Sequence, residues 1–165
     1  MKWVLIAAVL LAALIVVLLA IGWMLPVSHV ASRQATFSVP PETIWKAISE
    51  PDGYAAWRSD VKRVERLPDR HGRPAWVEEG SNGRIAYEVE RSQPPHMLVV
   101  RIADRDLPFG GAWTFEVSPA PGGSAVTITE SGEIYNPLFR ALARFVFGYE
   151  STMAVYLESL RRKVE

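Results

Sequence analysis

The stretch that decides the fold is residues 136–163, NPLFRALARFVFGYESTMAVYLESLRRK. Asn136 and Pro137 are typical of a helix start, because an asparagine side chain accepts hydrogen bonds from free amides and proline lacks an N–H. Apolar residues then recur at steps of three and four, which predicts one long helix with a broad apolar face. That face comprises Leu138, Phe139, Leu142, Phe145, Val146, Tyr149, Thr152, Met153, Tyr156, Leu157 and Leu160. A face this broad requires a large covering surface.

The residues before this stretch predict that covering surface. Apolar and polar residues alternate in segments separated by turns that contain proline or glycine, as expected for antiparallel strands. Two short helices, beginning at Pro41 and Tyr54, follow the first strand. The predicted strands are 33–39, 61–67, 75–79, 84–91, 97–102, 112–118 and 124–135. The pattern predicts an α+β fold, in which a curved antiparallel sheet of six or seven strands surrounds a long C-terminal helix.

The N-terminal residues form a separate unit. Residues 3–25 contain no charge and no proline. A helix of this length reaches roughly 34 Å, enough to cross a hydrocarbon core about 30 Å thick. We therefore expect a transmembrane anchor at 1–25, a linker at 26–32 and a globular domain at 33–165. A cleaved signal peptide is the alternative, and Val30-Ala31-Ser32 offers it a cleavage motif.

The charges predict an orientation and exclude one class of partner. Lys2 precedes the apolar segment, and the next full positive charge is Arg33. The positive-inside rule therefore predicts a single-pass protein of the inner (cell) membrane with its domain on the extracytoplasmic side. Without Lys2 the chain has 18 acidic and 17 basic residues, since Lys and Arg total 18. Such a near-neutral domain is not expected to bind nucleic acid.

Motifs of known catalytic and cofactor sites are missing from the sequence. There is no G-x-S-x-G, no G-x-G-x-x-G, no P-loop and no cysteine. These absences argue against a hydrolase nucleophile elbow, a nucleotide cradle and thiolate chemistry. The three histidines, His29, His71 and His96, lack metal-ligand spacing. We therefore expect no metal and no cofactor.

Several short motifs resemble the START-like helix-grip superfamily (SRPBCC), which includes the polyketide cyclase/dehydrase and lipid transport family and the birch-pollen allergens. The motifs are VPPETIW at 39–45 followed by Glu50-Pro51 and Trp57, QPPHML at 93–98, FEVSP at 115–119 and GGSAVT at 122–127. The resemblance covers roughly residues 34–165. It implies a cavity between sheet and helix that holds a hydrophobic small molecule, such as a lipid, quinone or polyketide.

Aromatic residues on the predicted strands and helix are the candidate walls of that cavity. They are Tyr87, Trp113, Phe115, Phe145 and Tyr149. An ordinary core position is the alternative for each. Residues 104–111 are a candidate lid at the mouth, with Leu107 and Phe109 as its apolar tip and Gly110-Gly111 as hinges. A plain hairpin loop is the alternative there.

Glu130 is the candidate polar group of the site. By strand alternation it shares the face of Val126 and Ile128, which predicts that it points into the cavity. A buried carboxyl has a raised pKa and is suited to general acid/base catalysis or to holding a ligand hydroxyl. Alternatively, Glu130 reaches water at the end of the sheet or pairs with Arg84 or Arg144.

Three functions fit these observations. The first is a membrane-tethered binding or carrier domain for a hydrophobic small molecule. The second is an enzyme of the cyclase/dehydrase type that uses Glu130 or a tyrosine hydroxyl. The third is a membrane assembly protein with a filled core and no ligand. The apolar segment and the missing catalytic motifs favour the first.

Overall fold

The computed structural model describes residues 1–70 and 72–165. They form α-helices, one 3₁₀ helix, one short π-helix and the strands of a single sheet. In chain order the elements are α1 (Lys2–Met24), β1 (Ser28–Phe37), α2 (Pro41–Ser49), the 3₁₀ helix (Pro51–Ala56), β2 (Val61–Arg70), β3 (Arg73–Gly80), β4 (Gly83–Gln93), β5 (Met97–Ile102), β6 (Phe109–Ala120), β7 (Gly123–Ile134), α3 (Pro137–Leu142), the π-helix (Ala143–Phe147) and α4 (Ser151–Val164).

The sheet has seven strands in the order β1-β7-β6-β5-β4-β3-β2. Every neighbouring pair is antiparallel, and consecutive strands from β2 to β7 are neighbours. The first strand pairs with the last, so the N-terminal part of the domain is fixed to its C-terminal part. The predicted α+β fold, with a curved antiparallel sheet and a C-terminal helix, is confirmed.

The core lies between one face of the sheet and the helices α2 and α4. Ile44 and Ile48 of α2 are fully buried, one helical turn apart. Met153 and Leu160 of α4 are also fully buried. These side chains join apolar residues of the sheet in one cluster. The helix α4 therefore covers the sheet as the apolar pattern predicted.

The predicted single helix over 136–163 is interrupted. Its start is as predicted, because the Asn136 side chain accepts hydrogen bonds from the amides of Leu138 (2.9 Å) and Phe139 (3.2 Å). The chain then passes into the π-helix and leaves the helical conformation at Gly148, where φ is +71° and ψ is 166°. Only glycine adopts this conformation readily. The result is two helices, α3 and α4, with different neighbours.

Two predicted boundaries also differ in the structure. The strand β1 begins at Ser28, and residues 28–32, predicted as part of the linker, pair with β7. The strand β6 begins at Phe109, so Gly110 and Gly111 belong to it rather than to the predicted loop. His71, in the predicted turn between β2 and β3, lies outside the described residues.

The helix α1 is long and apolar enough to cross a membrane. Its last turn packs against α3, and a methyl group added at Gly22 would collide with the Pro137 backbone carbonyl. The buried Arg140 donates hydrogen bonds to the carbonyls of Leu25 (2.7 Å) and Tyr135 (3.4 Å). These contacts fix the C-terminal end of α1 to the start of α3.

Candidate ligand-binding cavity

A cavity of about 590 Å³ lies between the sheet and α4. Its position follows from strand register, because Trp113 pairs with Glu130 and Phe115 with Ile128, so these side chains share the inner face. Aromatic side chains dominate the walls, and polar groups are confined to a few places. The aromatic lining residues are His29, Tyr54, Trp76, Tyr87, Phe109, Trp113, Phe115, Phe139, Phe147, Tyr149 and Tyr156.

Most of the predicted site residues meet in this cavity. Among the predicted walls, the lining includes Tyr87, Trp113, Phe115, Glu130 and Tyr149. Phe109 of the predicted lid lines it too, from the first residue of β6. Strand alternation therefore predicts the side of the lining that Tyr87, Trp113, Phe115 and Glu130 form.

Two predicted site residues lie elsewhere. Phe145 is not part of the lining and its side chain is 66% exposed, because the break at Gly148 separates its segment from α4. Leu107 is also not part of the lining. The predicted hinges are not hinges, since Gly110 and Gly111 are paired with β7. Phe145 therefore does not form a cavity wall, and residues 104–111 are not a lid hinged at Gly110 and Gly111.

A largely buried ionic cluster of Arg58, Asp60 and Glu78 forms part of the cavity lining and is not predicted by the sequence pattern. Arg58 bonds to Asp60 (2.6 Å) and to the buried Glu78 (2.9 Å). The Trp76 indole N–H donates to Glu78 at 2.9 Å. Burial raises the pKa of Glu78, and the Arg58 guanidinium opposes that rise. Although burial acts against the charge of Arg58, its carboxylate partners hold its pKa above the ordinary value.

Two buried tyrosines stand beside this cluster, and they differ in hydrogen bonding. The Arg58 guanidinium lies 5.1 Å from the ring centres of both Tyr54 and Tyr156. The Tyr54 hydroxyl donates to the Ile48 carbonyl at 2.5 Å. The buried Tyr156 hydroxyl has no hydrogen-bond partner among residues 1–70 and 72–165. Tyr156 lines the cavity with its ring, whereas its hydroxyl is fully enclosed by protein atoms.

A second polar cluster contains Glu130 and lies on β7, at the other side of the cavity. Nε2 of His29 lies 3.6 Å from Oε1 of Glu130. The His29 ring stacks on Tyr149 with ring centres 3.9 Å apart. Gly132 makes room for that ring, because a Cβ at this position would overlap it. The ionisable neighbour of Glu130 is therefore His29, whereas Arg84, one of the alternative partners, bonds to Glu65 at 3.2 Å.

Burial acts on both members of this pair in the direction of the neutral form. It raises the pKa of Glu130, and a hydrogen bond from Trp113 opposes the rise. It lowers the pKa of His29. A carboxyl with a raised pKa beside an imidazole, inside a cavity, is suited to general acid/base chemistry.

The cavity residues that were not predicted differ in how clearly the sequence pattern indicates them. Glu78 follows the apolar Trp76 by two residues, so the alternation argument used for Glu130 would also have placed it on the inner face. His29 was assigned to the linker because the start of β1 was placed too late. Arg58 follows a short 3₁₀ helix, where no periodic pattern indicates a direction. Among the described residues, no group of three or more acidic or histidine side chains is arranged to hold a metal ion.

Comparison with known protein families identifies the family to which this chain belongs. Residues 28–165 match the family described as polyketide cyclase/dehydrase and lipid transport. The chain belongs to this family. No curated protein matches the sequence. The match begins at the first residue of β1 and covers the whole sheet and the C-terminal helices.

Solved structures with the same fold come from aromatase/cyclases and START proteins. The two-domain aromatase/cyclase BexL of the BE-7585A biosynthetic pathway has a TM-score of 0.70 and 9% identity, over 84% of this chain and 50% of BexL. The Zhui aromatase/cyclase from Streptomyces sp. R1128 has a TM-score of 0.66 and 11% identity, over 83% and 93%. A START superfamily protein from Mycobacterium smegmatis has a TM-score of 0.66 and 18% identity, over 82% and 97%.

These structures are informative about fold. The chain spans about half the length of BexL, and all three identities lie below the level at which a shared activity follows. The family match and the fold together support a ligand-binding domain of the helix-grip type.

Proposed function

We propose that this protein is a membrane-anchored binding or carrier domain for a hydrophobic small molecule held between the sheet and α4. One observation carries the proposal: a cavity of about 590 Å³ with aromatic walls between the sheet and α4. Ligand pockets in proteins typically measure about 300–1,000 Å³ and combine apolar walls with a few placed polar groups. The assembly-protein hypothesis predicted a filled interior, which this volume does not support.

The polar groups suggest the chemical class of the ligand. The Arg58–Glu78 cluster lies on the β3 side of the cavity and the cluster with Glu130 lies on the β7 side, and three strands separate β3 from β7. Four strand spacings amount to roughly 19 Å along the sheet. A ligand with an extended apolar or aromatic body and an oxygen at one or both ends fits this arrangement. Lipid, quinone and polyketide-like molecules belong to this class.

Structural features of β1 support retention of α1 as an anchor. Cleavage at the Val30-Ala31-Ser32 motif would remove the first half of β1, which pairs with β7. It would also remove His29 from the cavity lining. The positive-inside rule supports an extracytoplasmic domain, because Lys2 precedes α1 and Arg33 follows it at a distance. The proposed location is a single-pass inner membrane protein.

Native mass spectrometry of the full-length protein, released from its membranes in detergent, tests the binding role. We expect wild-type protein to retain a hydrophobic molecule. Val100→Trp, which places a large side chain in the cavity, should lose it. Val99→Trp is the matched control, because strand alternation turns Val99 to the opposite face of the sheet. A wild-type protein that carries no hydrophobic molecule and takes none from a lipid and quinone panel would refute the proposal.

A cyclase/dehydrase-type enzyme is the second candidate function. The observation that favours it is the Glu130–His29 pair inside the cavity, with burial raising the pKa of the carboxyl. In this role Glu130 would exchange a proton with the ligand, and His29 would receive or return it. Turnover of an aromatic polyketide substrate should then fall by about 10²–10⁴-fold in Glu130→Gln. Unchanged turnover in Glu130→Gln would exclude this assignment.

A further inference from the structure

The segment 137–147, composed of α3 and the π-helix, presents apolar side chains to the outside of the molecule. Phe145, Val146 and Phe147 are each about two-thirds exposed, and Phe139 is about half exposed. Soluble proteins rarely expose apolar side chains in such a contiguous group, and those that do generally use the group to bind a partner or a membrane. The neighbours of the segment indicate which partner covers it.

The contacts with α1 place the segment at the depth of a membrane interface. Pro137 touches α1 at Gly22, three residues before the end of the apolar run at Leu25. At about 1.5 Å per residue, this contact lies roughly 4–5 Å inside the end of that run. Trp23, beside the contact, is 75% exposed, and tryptophan is typical of the membrane–water interface. Interfacial helices bury their apolar face to a similar depth, about 5–10 Å.

The same segment forms part of the mouth of the cavity. Phe139, Leu142 and Phe147 line the cavity, and two of these three side chains are also exposed on the outer surface. Val155 of α4 likewise lines the cavity and is exposed. An apolar surface is therefore continuous from the inside of the cavity to the face that lies beside α1.

We propose that residues 137–147 lie in the lipid leaflet that α1 enters, and that they form an entry port through which the ligand passes between the acyl chains and the cavity. The inference rests on the proposed function, because it requires α1 to be retained as an anchor. The continuity with α1 selects a bilayer as the partner rather than a protein. Arg144, an exposed cation in the segment, meets lipid phosphates at this depth.

A single-cysteine probe tests this placement, since the chain contains no cysteine. Full-length Phe145→Cys, labelled with an environment-sensitive nitrobenzoxadiazole dye, is reconstituted in phosphatidylcholine vesicles with or without brominated acyl chains. Position 145 suits the label because its side chain is exposed and does not line the cavity. The control is Ser118→Cys, exposed near the far end of β6, about 30 Å along the strand from Phe109.

We expect brominated lipid to quench the dye at residue 145 by about twofold or more, and to leave the dye at residue 118 unchanged. Vesicle flotation of the same samples separately measures whether the protein is anchored in the membrane. Protein that floats with vesicles but shows no quenching at residue 145 would overturn the entry port and leave the anchored binding domain standing. Protein that does not float would overturn the anchor, and the entry port with it.

Discussion

Two halves of the C-terminal segment carry the same apolar spacing and meet different surroundings. In residues 151–164 the periodic side chains are buried against the sheet, and Leu160 is fully buried. In residues 137–147 they are largely exposed, and Phe145 is 66% exposed. Periodicity therefore predicts that a helix has an apolar face, but the path of the chain decides what that face contacts. Here one half closes the core and the other lies beside α1.

The largest expected effect separates the two halves by stability. Leu160→Ala removes a fully buried side chain and should lower the free energy of unfolding by about 2–5 kcal/mol. Val146→Ala, in the exposed half, should change it by no more than about 0.5 kcal/mol. Denaturant unfolding of the full-length protein in one detergent measures both. Equal losses for the two variants would show that both halves pack into the core.

The break between the halves depends on one residue. Gly148 has φ +71° and ψ 166°, a conformation that costs other residues about 1–3 kcal/mol, so Gly148→Ala should destabilise the protein by that amount. Gly53→Ala is the matched control, because Gly53 has no such φ and a Cβ there meets no atom within 4 Å. Thermal unfolding compares the two. If Gly148→Ala is neutral, the two halves are not held apart by this backbone conformation.

Tyr156 of the packed half and the neighbouring Tyr54 of the 3₁₀ helix should respond differently to loss of the hydroxyl. Tyr54→Phe loses a bond to the Ile48 carbonyl and should cost about 0.5–1.5 kcal/mol. Tyr156→Phe removes a buried hydroxyl that has no partner among the described residues, so ligand-free protein should be as stable as wild type or more stable. A stability loss equal to that of Tyr54→Phe would indicate that Tyr156 is bonded within the protein.

The smallest expected effect is the dependence of stability on pH. It concerns residues near the point where the two halves of the C-terminal segment join. Tyr149 lies in the break and stacks on His29 beside Glu130. Because burial raises the pKa of Glu130, the folded protein binds more protons than the unfolded chain, and stability falls as pH rises from about 4.5 through the raised pKa. The stability of Glu130→Gln relative to wild type should therefore increase over this range.

Melting temperatures of the two proteins, measured in parallel from pH 4 upward, give this difference. The lowered pKa of His29 produces the opposite slope, with stability rising as pH rises towards 6.5, and both proteins retain His29. The difference between the proteins therefore reports Glu130 together with its contact to His29. A constant difference across the range would mean that the Glu130 carboxyl is not destabilised by burial.

Local patterns in the sequence were sufficient to predict most helices and strands and one wall of the cavity. Strand alternation placed Trp113, Phe115 and Glu130 on one face, and the structure brings them to the cavity. Alternation is a short-range property, so a single strand shows it without knowledge of its partners. The same argument applied to β3 would have found Glu78.

The remaining features depend on contacts between distant parts of the chain. The apolar pattern predicted Phe145 as a cavity wall, because the pattern alone does not show that the helix ends at Gly148. The His29–Glu130 pair arises because β1 extends to Ser28 and pairs with β7, about 100 residues later. The Arg58–Glu78 pair joins the end of the 3₁₀ helix to β3. Such contacts come from tertiary folding, which no local spacing records.

The position of a bound molecule is the most direct test of the account. A crystal structure of the full-length protein, purified from its own membranes, would show this position in electron density. We predict density for an apolar molecule between the sheet and α4, against Trp113. An interior closed by side chains, with no space for a bound molecule, would contradict the proposed binding function.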